Sequence, residues 1–182
     1  MERDSGQQIN FWKKSFQNKV LLLVLIALAV IVIGTGATLK ASDKPAFCTN
    51  CHIMNTYYKS YSESNLLANK HAKAGLVCHD CHETSITAKI NEGIKYITND
   101  FKTPMKQRRY SKELCLKCHN DFDKIIEKTQ SLEEANPHES HFGSQECYEC
   151  HSMHRQSNVM CSRCHQFPWY KDLDSSWKQS GK

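Results

Sequence analysis

The sequence has no solitary cysteine, few aliphatic side chains after residue 45, and no charge between residues 20 and 39. Each scarcity excludes something. All ten cysteines fall into five pairs of one form, C-x-x-C-H, so no thiol is left over. A disulfide framework does not need one spacing repeated five times. A redox C-x-x-C is a single motif beside a βαβ pattern. Zinc sites use C-x-x-C pairs, but zinc chemistry does not require a histidine directly after each. The lack of aliphatic residues rules out an ordinary hydrophobic core for residues 45–182.

The five motifs are CTNCH (Cys48, Cys51, His52), CHDCH (Cys78, Cys81, His82), CLKCH (Cys115, Cys118, His119), CYECH (Cys147, Cys150, His151) and CSRCH (Cys161, Cys164, His165). This pattern reads as c-type haem attachment. Two thiols form thioethers to one haem, and the next imidazole is placed to reach its iron. The chain is therefore expected to carry five covalently bound haem c groups. Covalent haem ligation takes place outside the energised membrane, so the haem-bearing part is expected to be exported. The formal charge of +5 gives no inference about nucleic acid, because each haem adds two propionates.

Residues 20–39, VLLLVLIALAVIVIGTGATL, are long enough to span the roughly 30 Å hydrocarbon core of a bilayer as a helix. Lys13, Lys14 and Lys19 precede them, interleaved with the aromatic residues Phe11, Trp12 and Phe16. Basic residues on the short N-terminal side predict that this end stays in the cytoplasm. A cleaved signal peptide is the alternative, but GTGATLKAS lacks a clean small-x-small cleavage site. The expected organisation is a cytoplasmic segment (1–18), a transmembrane anchor (19–39) and an exported pentahaem domain (40–182). That places the protein in the cytoplasmic membrane as a single-pass chain, with the haem domain on the periplasmic side.

The fold class expected is mainly α, with short helices and loops wrapped on haems and little or no sheet. Helices are expected over 54–70, 84–102 and 121–134. The second shows Ile86, Ile90, Ile94 and Ile97 near helical period, with Thr84 or Ser85 as a cap and Pro104 beyond its end. The tail from Phe167, FPWYKDLDSSWKQSGK, reads as a solvated terminus, with a docking strip as the alternative. The motif spacings differ, so no solenoid is implied.

Each haem iron takes two axial ligands. Besides the five motif histidines there are His71, His79, His138, His141 and His154. His79 lies inside its own motif and is badly placed to reach another iron. The other four are the candidate distal ligands for five haems. One haem then lacks a distal histidine, and Met54, in CTNCHIM, offers a thioether to it. Ordinary apolar packing is the other reading of Met54.

A single N-terminal anchor followed by C-x-x-C-H-x-M resembles the NapC/NirT/NrfH family of membrane-anchored quinol dehydrogenases. The likeness runs from the anchor through CTNCHIM, SNLLANKHAKAGLVCHDCH and TAKINEGIKYITNDF to CLKCH, roughly residues 10–120. The resemblance implies that Met54, rather than His52, ligates the first haem, whose other face stays open beside a quinol site. It also gives weight to Lys89, four before Gly93. The family's acidic residue aligns nearest Tyr96, with Asp100 one turn later. Such proteins commonly have four haems. The last third here, NPHESHFGSQECYECHSMHRQSNVMCSRCHQF, is more similar to the haem domain of flavocytochrome fumarate reductases.

A quinol releases two electrons and two protons, so bases must lie beside the haem that receives the electrons. Lys89, Glu92, Lys95 and Asp100, in the expected helix 84–102, are the candidate bases and hydrogen-bond partners. The expected function is oxidation of menaquinol or another quinol, with electrons delivered to an exported terminal reductase of the flavoprotein or nitrite/nitrate reductase type. A tethered carrier without a quinol site, and a terminal haem reductase, are the rival classes.

Overall fold

The computed structural model describes residues 4–178, with side chains from residue 16 onward. The side chains of Phe11, Trp12, Lys13 and Lys14, and the last four residues of the tail, lie outside the described residues. The chain divides into two compact units, one ending at Phe47 and one beginning at Cys48.

The first unit is built on one helix, α1 (Asp4–Ala41). Its stretch Phe16–Ala41 holds an 18-residue window of mean hydropathy 3.0 and is long and apolar enough to cross a membrane. The helix extends beyond the 19–39 expected from hydropathy alone, because nothing before Asp43 and Pro45 interrupts it. Thr38 returns its hydroxyl to the Gly34 carbonyl at 2.9 Å, which keeps a polar side chain compatible with the apolar helix.

The second unit is made of short helices: α2 (Asn55–Ser62), α3 (Leu67–Lys73), α4 (Cys78–Cys81), α5 (Ile86–Ile97), α6 (Lys112–Leu116) and α7 (Phe122–Thr129), with 3₁₀ turns between and after them. Among the described residues there is no strand, and the one β-bridge joins Ser157 and Trp177. The mainly α class is as expected.

The helix expected over 54–70 is two helices. Ser60 and Ser62 bond back to the carbonyls of Tyr57 and Tyr58, and Ser64 Oγ accepts the Leu66 N–H at 3.0 Å. A run of serine and asparagine competes with the helical ladder and breaks it. α5 is shorter than 84–102. Ser85 caps it, accepting the Ala88 N–H at 3.1 Å. It stops where Asn99 turns left-handed, φ 59, and Asp100 N–H reaches back to the Lys95 carbonyl at 2.8 Å. α7 ends at Thr129, five residues short of the expected bound. There the Thr129 hydroxyl and the Asn136 amide meet the Ile125 and Ile126 carbonyls that would have continued the helix.

The tail is not a solvated terminus. Trp169 and Tyr170 are buried and form a cluster with Val159, onto which Leu132, Cys161, Phe167, Leu173 and Trp177 pack. Ser157 and Ser176 are fully buried. Their backbones pair, with Ser157 N–H on the Ser176 carbonyl and Lys178 N–H on the Ser157 carbonyl, both at 2.8 Å. Lys70 reaches from α3 to Asp174 at 2.7 Å. The polar composition of this segment concealed two buried rings, Trp169 and Tyr170, with Phe167 and Trp177 packed against them. Elsewhere the protein core is nearly absent: Ala68, Val159, Trp169 and Tyr170 are the buried hydrophobic side chains among the described residues.

Candidate functional site

Four of the five C-x-x-C-H segments fold alike. The histidine N–H closes a turn onto the carbonyl of the first cysteine: His82 to Cys78, His119 to Cys115, His151 to Cys147 and His165 to Cys161, at 2.8–2.9 Å. The first segment folds otherwise. Cys51 is extended, φ −100 and ψ 115, and His52 opens a separate 3₁₀ turn, His52–Met54.

Each of those four motif histidines faces a second histidine. Ring centres lie 6.2 Å apart for His71 and His119, 6.1 Å for His82 and His154, 6.3 Å for His138 and His151, and 6.0 Å for His141 and His165. A metal–imidazole bond is about 2.0–2.1 Å. With each nitrogen about 1.1 Å from its ring centre, two imidazoles across one metal have centres about 6.2–6.4 Å apart. The four pairs are spaced for one metal each. Two ligands do not make a zinc site, which takes four. Among the described residues no three His, Cys, Asp or Glu side chains converge on one point. A macrocycle supplying the remaining nitrogens fits the pairs.

The outer nitrogens of the second histidines are held. His71 Nδ1 donates to the Leu67 carbonyl at 2.8 Å. Ser60 gives its only proton to the Tyr57 carbonyl, so it accepts from His154 Nδ1 at 2.6 Å. Thr129 donates to Asn136 Oδ1 and accepts from His138 Nδ1 at 2.9 Å. In each case Nε2 keeps its lone pair, the form in which imidazole binds a metal. Tyr110 Oη stands 2.9 Å from His82 Nδ1. Burial holds His82, His138, His151 and His154 below the usual imidazole pKa, His151 down to about 4. None of these second-position partners has a signature in the sequence spacing.

Two further observations fit haem. A cavity of about 280 Å³ opens between His141 and His165, lined also by Cys161 and Phe167. Trp169 Nε1 and Tyr170 Oη are buried without a protein acceptor. Burial, followed by Cys161 and Cys150, raises the Tyr170 pKa, placing its hydroxyl beside motifs four and five. Two orphaned donors there suit the propionates of a bound haem.

The motifs are strung in chain order. Cys78 hydrogen-bonds Cys48, lowering the Cys48 thiol to about 6 and raising its own. Cys81 feels Cys118. Burial, then Cys147, raises Cys115 to about 11. Cys150 feels Cys161. Each motif thus has a thiol within electrostatic reach of the next. Thioether formation would remove these titrations but not the proximity.

His52 is not the partner of His71, His138, His141 or His154, which pair with the other four motif histidines. Its Nδ1 lies 3.1 Å from Tyr96 Oη, and its ring contacts Tyr96 and Phe101, which stack on each other. Met54 N–H closes onto the Cys51 carbonyl at 2.8 Å. Of the expected bases, Lys89 is half-buried and acts on the Cys48 thiol, as does Glu92. Glu92 is paired with Arg108 at 3.0 Å. Lys95 is exposed and, at about 100° per residue, sits about 120° around α5 from Lys89. Asp100 is exposed and directly precedes Phe101. His79 acts on His82, adding after burial and Arg108 to the lowering of its pKa. Tyr96, noticed in the sequence only where an acidic residue was expected, is the group that meets His52.

Among known proteins, the chain is similar to the cytochrome c-type protein Cgr1 of Eggerthella lenta, 28% identical over 79% of this chain and 81% of that protein. It is also similar to the cytochrome c-type protein NrfB of Escherichia coli O6:H1, 27% identical over 63% of this chain and 56% of that protein. Residues 70–166, more than half of the chain, match cytochrome c3. The chain belongs to the cytochrome c3 family, multihaem c-type cytochromes that transfer electrons through covalently bound haem c.

Proposed function

We propose that this protein is a membrane-anchored pentahaem quinol dehydrogenase of the NapC/NirT/NrfH kind, with residues 1–18 cytoplasmic, 19–39 spanning the membrane and 40–182 exported. Cys48 and Cys51, Cys78 and Cys81, Cys115 and Cys118, Cys147 and Cys150, and Cys161 and Cys164 attach one haem each. His82 with His154, His119 with His71, His151 with His138, and His165 with His141 hold four irons, and Met54 holds the first. Bound haem supplies one-electron carriers, so that a two-electron donor is emptied in single steps.

The observation that carries this reading is the contrast between the motifs. Four present paired imidazoles, whereas His52 meets Tyr96 and Phe101 rather than any of His71, His138, His141 and His154, and Met54, two residues on, offers a thioether. A first site without one of those four histidines has room for quinol to approach. Lys89, on the Cys48 side of α5, is placed to bind or deprotonate a quinol hydroxyl. Asp100, beside the His52–Tyr96–Phe101 cluster, is the second candidate base, and Lys95 is an outer one. An exported reductase receives the electrons from the C-terminal motifs, whose likeness to the haem domain of flavocytochrome fumarate reductases favours a flavoprotein over a nitrite or nitrate reductase.

The test is reduction of the detergent-solubilised holoprotein by menaquinol, with and without a quinol-analogue inhibitor. Fast, inhibitor-sensitive reduction is expected. Slow or insensitive reduction would make the protein a tethered carrier fed by another protein.

A further inference from the structure

α5 carries an apolar ridge that no described residue covers. Ile86, Ile90, Ile94 and Ile97 are 57%, 57%, 53% and 84% exposed. At about 100° per residue they fall within about 80° of one another on the helix. The half-buried residues of the same helix are Ala88, Lys89 and Tyr96. Lys89 and Tyr96 face the first motif, through Cys48 and His52. The centre of that inner face lies about 105° around the helix from the centre of the ridge. The ridge therefore looks away from the first haem-attachment segment and from His82, which Glu92 approaches on the inner side. A haem-bearing domain does not leave all its isoleucines bare: Ile125 and Ile126 of α7 are half-buried.

We propose that the α5 ridge lies in the surface of the bilayer and seats the haem domain on anionic lipid. The ridge has the form of an in-plane amphipathic helix, with its isoleucines on one side and Asn91, Glu92 and Lys95 on the other. Two features select lipid over a protein partner. The first is a tether. α1 ends at Ala41 and Cys48 follows seven residues later, a reach of at most about 25 Å, and Cys48 is the group that Lys89 of α5 approaches. The second is charge. Residues 101–112, directly after α5, hold Lys102, Lys106, Arg109 and Lys112 besides Arg108, which is paired with Glu92, and no acidic residue. Such a run is drawn to anionic headgroups. This inference rests on α1 being inserted, and it does not require the quinol reading.

The test uses the full-length holoprotein in phosphatidylglycerol vesicles containing a lipid with a photoactivatable diazirine near the top of one acyl chain. After illumination, peptide mapping locates the adducts. Adducts on the ridge, and none at Lys95 or on α7, are expected. In an Ile90→Glu/Ile94→Glu variant with unchanged haem content, α5 adducts should fall at least about fivefold while α1 labelling is kept. Labelling confined to α1 in the parent protein would overturn the proposal, as would ridge labelling that the double variant leaves intact. Ridge adducts in a protein that menaquinol fails to reduce would sink the quinol reading alone.

Discussion

If Met54 ligates the first iron, as proposed, Tyr96→Phe should shift the balance between His52 on Tyr96 and His52 on the iron. The restraints are the Tyr96 Oη contact with His52 Nδ1 at 3.1 Å and the ring contacts at 5.8 Å and 6.4 Å with Tyr96 and Phe101. One neutral hydrogen bond contributes about 0.5–1.5 kcal/mol. At 1.4 kcal/mol per tenfold, Tyr96→Phe should move the balance between diverted and iron-bound His52 by about 2–12-fold. Removing Phe101 as well takes away ring contacts of about 0.5–1.5 kcal/mol. The double variant Tyr96→Phe/Phe101→Ala should therefore shift the balance by up to about 100-fold. Near-infrared magnetic circular dichroism separates thioether from imidazole ligation and reads the first haem directly. Met54→Ala supplies the reference in which the thioether is gone. If Met54→Ala leaves the spectrum of the parent protein unchanged, Met54 is not a ligand and the reasoning fails.

Other outcomes follow from the same geometry. Ser60→Ala removes the acceptor on His154 Nδ1 and makes that imidazole a poorer donor. One haem potential should rise, by up to about 60 mV for about 1.4 kcal/mol, as redox titration would show. Lys89→Gln should slow menaquinol-driven reduction severalfold with haem content and dithionite-reduced spectrum unchanged; equal rates would remove Lys89 from the site. Trp169→Ala empties the cluster under the tail and should lower unfolding stability by about 3–5 kcal/mol, measured by denaturant titration; a loss under about 1 kcal/mol would mean the tail is peripheral.

Much of the site was legible from the sequence because thioether chemistry fixes spacing. Two cysteines three apart and a following histidine cannot be rearranged without losing attachment, so the motifs stand out in one dimension. The choice of His71, His138, His141 and His154 followed from counting ligands. Which histidine meets which was not legible: His71 pairs with His119, 48 residues on, and His154 with His82, 72 residues back. Such pairing depends on the path of loops that carry no periodic signal. The tail was misjudged for a related reason. Its serines looked like solvated polar residues, but Ser176 is buried and its carbonyl accepts the N–H of Ser157, while Trp169 and Tyr170 pack on Val159. The break between α2 and α3 was hidden because serine side chains compete with the helix only locally.

The most direct measurement is electron paramagnetic resonance of the fully oxidised holoprotein, integrated against total iron. The imidazole planes are near parallel in two pairs, at 25° for His82–His154 and 8° for His138–His151. They are near perpendicular in the other two, at 81° for His71–His119 and 79° for His141–His165. Axial ligand arrangement sets the signal of each iron. Two rhombic and two strongly axial low-spin signals, with a fifth of different ligation, are expected. Five like signals, or fewer than four of bis-histidine type, would contradict the assignment of four histidine pairs and one distinct first site.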